Sequence, residues 1–113
     1  MAKKREVELP LTHLTYHILL ALADADRHGW AIIREIEERS GGVVRPTTGA
    51  LYLALQRMEE EGLIAESARR PVRADDDARR RYYRLTPRGR ALARAESERL
   101  AALVEAAYAK RLV

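Results

Sequence analysis

Four stretches of the chain repeat apolar residues at the three-and-four spacing of helices, and one short region alternates as strands do. Leu11, Leu14, Ile18, Ala21 and Leu22 share one face and predict a first helix, with Pro10 available as a first-turn residue. Its other side is not cleanly polar. Tyr16 and Leu20 lie there among His13, His17 and Asp24, which calls for a second packing partner, expected to be another subunit. "DADRHG" (24–29) reads as a turn. A second helix buries Ile32, Ile33 and Ile36 and stops at Gly41-Gly42, and "VVR" (43–45) has room only for a small strand.

The third helix is predicted from Thr47 to Glu61, closed by Gly62. At 100° per residue, Leu51, Ala54, Leu55 and Met58 fall on one side and belong to the core. Gly49, Leu53, Gln56 and Glu60 fall opposite, with Tyr52 on the flank. "LIAESAR" (63–69) and "RRYYRLT" (80–86) read as the strands of a hairpin around a polar, outward-projecting loop. From Pro87 the pattern is helical to the end. Leu92, Ala95, Leu100, Leu103, Val104 and Ala107 form an apolar seam on a helix of roughly 35–40 Å. So small a core cannot cover that length, so the seam is expected to pair two subunits, with Leu92, Leu100, Leu103 and Ala107 at the interface.

Composition narrows the class. A chain of 113 residues supports one compact domain, and 47% apolar with 34% charged residues is the balance of a folded, helix-rich protein. No apolar run is long enough to cross a bilayer, and "MAKKREVELP" lacks the apolar segment of a signal peptide, so a cytoplasmic location and no membrane partner are expected. Cysteine is absent, which excludes disulfides and thiolate chemistry. The formal net charge of +4 is unevenly spread: residues 63–90 hold nine arginines against four acids, while residues 1–62 carry a small acidic excess.

The order helix, helix, short strand, helix, hairpin, long helix describes a mainly α protein with a small β-hairpin. It is the order of a winged helix-turn-helix over residues 1–86 followed by a dimerisation helix over 87–113. In that arrangement the second helix of the pair enters the DNA major groove by its N-terminal residues. "TTGALY" suits such an approach, having hydroxyls, a glycine and a tyrosine but no charge. Glu59, Glu60 and Glu61 would be repelled by phosphate and lie at the other end, although a helix C-terminus disfavours carboxylates.

"HGWAIIREIEERSGG", "TTGALYLALQRMEEEGLI" and "RRRYYRLTPRGRALA" together resemble the PadR family of bacterial transcriptional regulators, in its short subgroup with a single C-terminal helix. The resemblance spans about residues 9–110. It implies a homodimer that binds double-stranded DNA at a palindromic operator, usually as a repressor, and is released by an effector. Three positions depart from the family pattern. Trp30 replaces a usual tyrosine, a change expected to affect packing only; Ala50 replaces a frequent serine or threonine; and the last helix lacks the tryptophan on which some members stack planar ligands.

Candidate DNA-binding residues are Thr47, Thr48, Gly49, Tyr52, Leu53, Gln56, Arg79 and Arg81. The threonines can cap the helix, touch phosphate, or do both. Gln56 can bond adenine through two atoms, and Leu53 can meet a thymine methyl. Arg79 and Arg81 are preferred over Arg80 only if Tyr83 is not the tyrosine that faces the core. Lys3, Lys4 and Arg5 form a basic arm able to follow the DNA backbone. A small apolar effector would sit between Tyr16, Leu20, Val104 and Tyr108 at the dimer centre.

His28 is read as a structural hydrogen-bonding residue, and the i, i+4 pair His13 and His17 is too sparse for a metal site. No cofactor, metal or enzymatic activity is expected, since no nucleophile set, paired carboxylates or glycine-rich phosphate loop is visible. The competing possibility is a winged-helix module that uses its arginines for an acidic protein partner without specific DNA recognition.

Overall fold

The computed structural model describes residues 7–68 and 80–113. The first helix, α1 (His13–Ala21), begins after Thr12, whose hydroxyl accepts the Thr15 amide at 3.2 Å. Pro10 therefore lies outside the helix rather than in its first turn. The Leu11 amide is committed elsewhere, donating to a Glu96 carboxylate oxygen at 2.7 Å, so the segment before Thr12 runs as a strap toward the last helix.

The predicted turn at 24–29 contains a two-residue strand, β1 (Arg27–His28), which leads straight into α2 (Gly29–Arg39). Residues 43–45, expected as a strand, form none. Their backbone groups are spent locally. Gly41 and Gly42 take φ of 62° and 82°, the Gly42 amide bonds Glu37 O at 2.8 Å, and Ser40 Oγ accepts the Val44 amide at 3.0 Å. This glycine-terminated cap leaves no extended edge to pair.

Helix α3 (Thr48–Glu60) follows, then β2 (Ile64–Glu66), β3 (Tyr82–Leu85) and α4 (Pro87–Ala109). The sheet is antiparallel with order β1-β3-β2, so β3 is central and the wing is one strand larger than a hairpin. Arg27 pairs with Tyr83 and His28 with Tyr82, while Ile64 pairs with Leu85. The core gathers Ile18, Leu19, Ile32, Ile36, Leu51, Leu55, Met58, Leu63, Ile64 and Tyr83 from α1, α2, α3 and the sheet. Leu92 and Ala93 of α4 pack against it.

Farther along α4, Glu96 is buried and clasped by the Arg99 guanidinium as well as the Leu11 amide. Arg99 first, and Leu11 with it, holds the carboxyl below its ordinary range against the opposing effect of burial. Next to it Ser97 shares a 2.7 Å hydrogen bond with the Tyr16 hydroxyl. The second face of α1 thus meets α4 of its own chain. Beyond this point α4 turns outward: Leu103, Val104 and Tyr108 are 57%, 48% and 61% exposed.

Candidate nucleic-acid interface

Helix α3 has the division its sequence implies. Leu51, Ala54, Leu55 and Met58 are buried, whereas Gly49, Leu53 and Gln56 are exposed and Tyr52 is 45% exposed on the flank. Thr47 acts as the N-cap, its hydroxyl accepting the Ala50 amide at 3.1 Å, which leaves its second lone pair and its proton available. Thr48, Gly49 and Ala50 form an exposed first turn with space around Gly49. The front of α3 is therefore an uncharged, accessible helix end, a geometry suited to close approach by base edges and phosphate.

At the acidic back end Glu61 is anchored rather than merely remote. Arg57 donates to Thr15 Oγ1 at 2.8 Å and pairs with the buried Glu61 at 3.8 Å, tying the last turn of α3 to α1. Beside this clasp is a cavity of about 320 Å³ bordered by Leu11, Thr12, Thr15, Arg57 and Glu61.

On the wing, the premise that favoured Arg81 fails. Tyr83 is the core tyrosine, 3% exposed, and Arg81 lies on its side of the strand with its guanidinium 3.6 Å from Glu66. Burial raises the Tyr83 hydroxyl above its usual range, Glu59 adding to the effect and Arg81 opposing it. Tyr82 is buried too, because His28 of β1 covers the opposite face, edge-on at 5.3 Å. Arg80 belongs to that side and comes within 3.3 Å of His28 Nε2. Arg79, the polar loop expected at 70–78 and the basic arm at 3–5 lie outside the described residues.

His28 is structural, as expected, but it is also a junction. It caps α2 by accepting the Ala31 amide through Nδ1 at 3.2 Å, and it links that helix to the wing. Trp30, whose departure from the family pattern is expected to affect packing only, is 56% exposed with the Arg34 guanidinium 5.1 Å from its ring. Chain periodicity could not reveal the link from His28 to the wing, since it depends on β1, whose partner is more than fifty residues away.

The remaining sites are less assembled. Tyr16 is engaged with Ser97 and Leu20 is half-buried, while Val104 and Tyr108 are exposed on the distal part of α4. The seam is likewise split. Leu92 packs on the core of its own chain, Leu100 and Ala107 are half-buried, and Leu103 faces solvent. His13 and His17 bring their Nε2 atoms to 3.1 Å, and among the described residues no group of three or more metal-ligating side chains occurs.

Residues 18–95 match the PadR-like family of transcriptional regulators. The chain belongs to that family. It is 41% identical over 75 residues to a transcriptional regulator of Mycobacterium tuberculosis, a match covering 66% of this chain and 64% of that protein. It is also 41% identical over 86 residues to a transposon-borne protein of Streptomyces fradiae, covering 76% of this chain but only 22% of the longer protein. Among solved structures, Bacillus subtilis PadR in complex with operator DNA superposes with a TM-score of 0.62 at 23% identity, over 76% of this chain and 47% of that one. The mainly helical winged-helix fold with its long last helix is thus the PadR fold. Among the described residues no helix is long and apolar enough to cross a membrane.

Proposed function

We propose that this PadR-family regulator is a dimeric DNA-binding repressor, acting in the cytoplasm on a palindromic operator and released when a small apolar effector binds. The observation that carries the DNA assignment is the split of α3 into a fully buried stripe and an exposed, uncharged front, with its acids at the far end and Glu61 anchored there by Arg57. Thr47, Thr48, Gly49, Tyr52, Leu53 and Gln56 supply groove contacts, and the arginines of the wing supply phosphate contacts. A PadR protein of the same fold has been solved in complex with operator DNA, which supports DNA as the partner.

Dimerisation is assigned to the distal part of α4, where Leu103, Val104 and Tyr108 leave apolar surface in water. Residues 1–86 form the reading unit and 87–113 the dimer element, joined through Glu96 and Ser97. The effector lies between Tyr16, Leu20, Val104 and Tyr108 once two copies meet.

The test is capture of genomic fragments on the purified protein, followed by salt titration of the enriched sequence. Affinity is expected to fall log-linearly with salt, with a slope of about −0.9 per phosphate neutralised. Failure to enrich any palindromic sequence would remove the operator-binding assignment.

A further inference from the structure

Gly29 opens α2 and is buried, and its backbone is not among the positive-φ glycines. Conformational freedom therefore does not explain a glycine there; space does. A methyl group on its Cα would lie 2.5 Å from Tyr52 Oη, 2.8 Å from Cζ and 3.2 Å from Cε1. The tip of the Tyr52 ring thus rests directly on the bare Cα of another helix, while the rest of the side chain is 45% exposed on the α3 flank. The seat is itself fixed, since His28 caps α2 immediately before it and packs on Tyr82 of the wing.

We propose that Gly29 is a positioning residue for DNA recognition, holding the Tyr52 phenol where its hydroxyl meets a base edge at the α2–α3 corner. This rests on the DNA-binding assignment above. Any side chain at 29 moves the hydroxyl by about 1 Å to reach ordinary contact distance, and hydrogen bonds tolerate only about half that range. The glycine acts through Tyr52 and touches no DNA.

The experiment compares four proteins on the captured operator: the native chain, Gly29→Ala, Tyr52→Ala, and the double variant. Each single change is expected to weaken operator binding about tenfold, the worth of one good hydrogen bond. The double variant is expected to bind as Tyr52→Ala does, because with the ring gone the added methyl has nothing to displace. Affinity for random DNA is expected to stay constant across the set. In thermal unfolding, Gly29→Ala in the Tyr52→Ala background should not lower the midpoint, which separates lost seating from lost folding.

Additive losses in the double variant, or unchanged operator affinity in Gly29→Ala, would overturn the inference while leaving DNA binding intact. Native affinity in Tyr52→Ala would do the same. Absence of DNA binding by the native chain would instead remove the functional assignment and the inference with it.

Discussion

Replacing Gly89 with alanine tests the joint on which α4 is mounted. Gly89 is buried in the first turn of that helix, and a methyl group there would fall 2.0 Å from the Leu63 carbonyl oxygen and 2.9 Å from its carbon. The obstacle is backbone held in place: Leu63 O accepts the Thr86 amide at 3.1 Å, and the Thr86 hydroxyl donates to Gly62 O at 2.6 Å. More than about 1 Å must open before van der Waals contact is ordinary. Overpacking of this kind costs about 1–3 kcal/mol. Opening the joint also stretches one or two of the Thr86 bonds, at about 0.5–1.5 kcal/mol each. Alanine recovers up to about 1 kcal/mol of helix propensity. With each contribution taken near the middle of its range, the net expectation is a loss of about 2–4 kcal/mol. With an unfolding entropy of about 2.1 cal/mol/K per residue, that lowers Tm by about 8–17 °C. Circular dichroism melting measures it, with Gly49→Ala as the control, since nothing lies within 4 Å of a methyl group there and its Tm should hold or rise. A Gly89→Ala midpoint within about 4 °C of the native one would refute the close-packing argument.

Placing glutamate at both Leu100 and Leu103 should give a monomer by light scattering, because two charges would be buried in the proposed interface; an unchanged dimer mass removes that interface. Gln56→Ala should leave stability intact and relax the preferred base at one position per half-site, at a cost of about 1–3 kcal/mol on the operator; identical selections from randomised operators would show that Gln56 reads no base. His17 is held below its ordinary pKa by burial, then by His13 and Arg39. The unfolded chain therefore binds the proton more tightly, so this contribution is complete above about pH 6.5 and is lost as pH falls below it. His17→Gln should flatten the dependence of Tm on pH just below that value, and an unchanged profile would exclude His17 as its source.

Periodicity revealed the face of α3 because a buried stripe is a local property, set by side chains one turn apart. Leu51, Leu55 and Met58 declare it whatever they pack against. Gly41-Gly42 and the Thr86-Pro87 start are local signals in the same sense. Other features depended on distant partners. Glu96 reads as a surface carboxylate until the Leu11 amide and Arg99 are brought to it. Strand alternation predicts one buried tyrosine in "YY", yet β1 covers the second. Nor did "RHGW" disclose that it joins α3 to the wing, because His28 and Gly29 meet Tyr82 and Tyr52 only in three dimensions.

The pairing of β1 with β3 also bears on how the protein is made. Arg27 waits for Tyr83, Leu11 waits for Glu96 at 85 positions' remove, and Tyr16 waits for Ser97. Such closures carry a large chain-entropy cost that no local contact offsets in advance. A nascent chain emerging from the ribosome holds the whole of α3 long before it can complete the sheet and strap that support it. A message cut short before α4 would therefore yield a product for the cell's proteases rather than a free, folded winged-helix fragment.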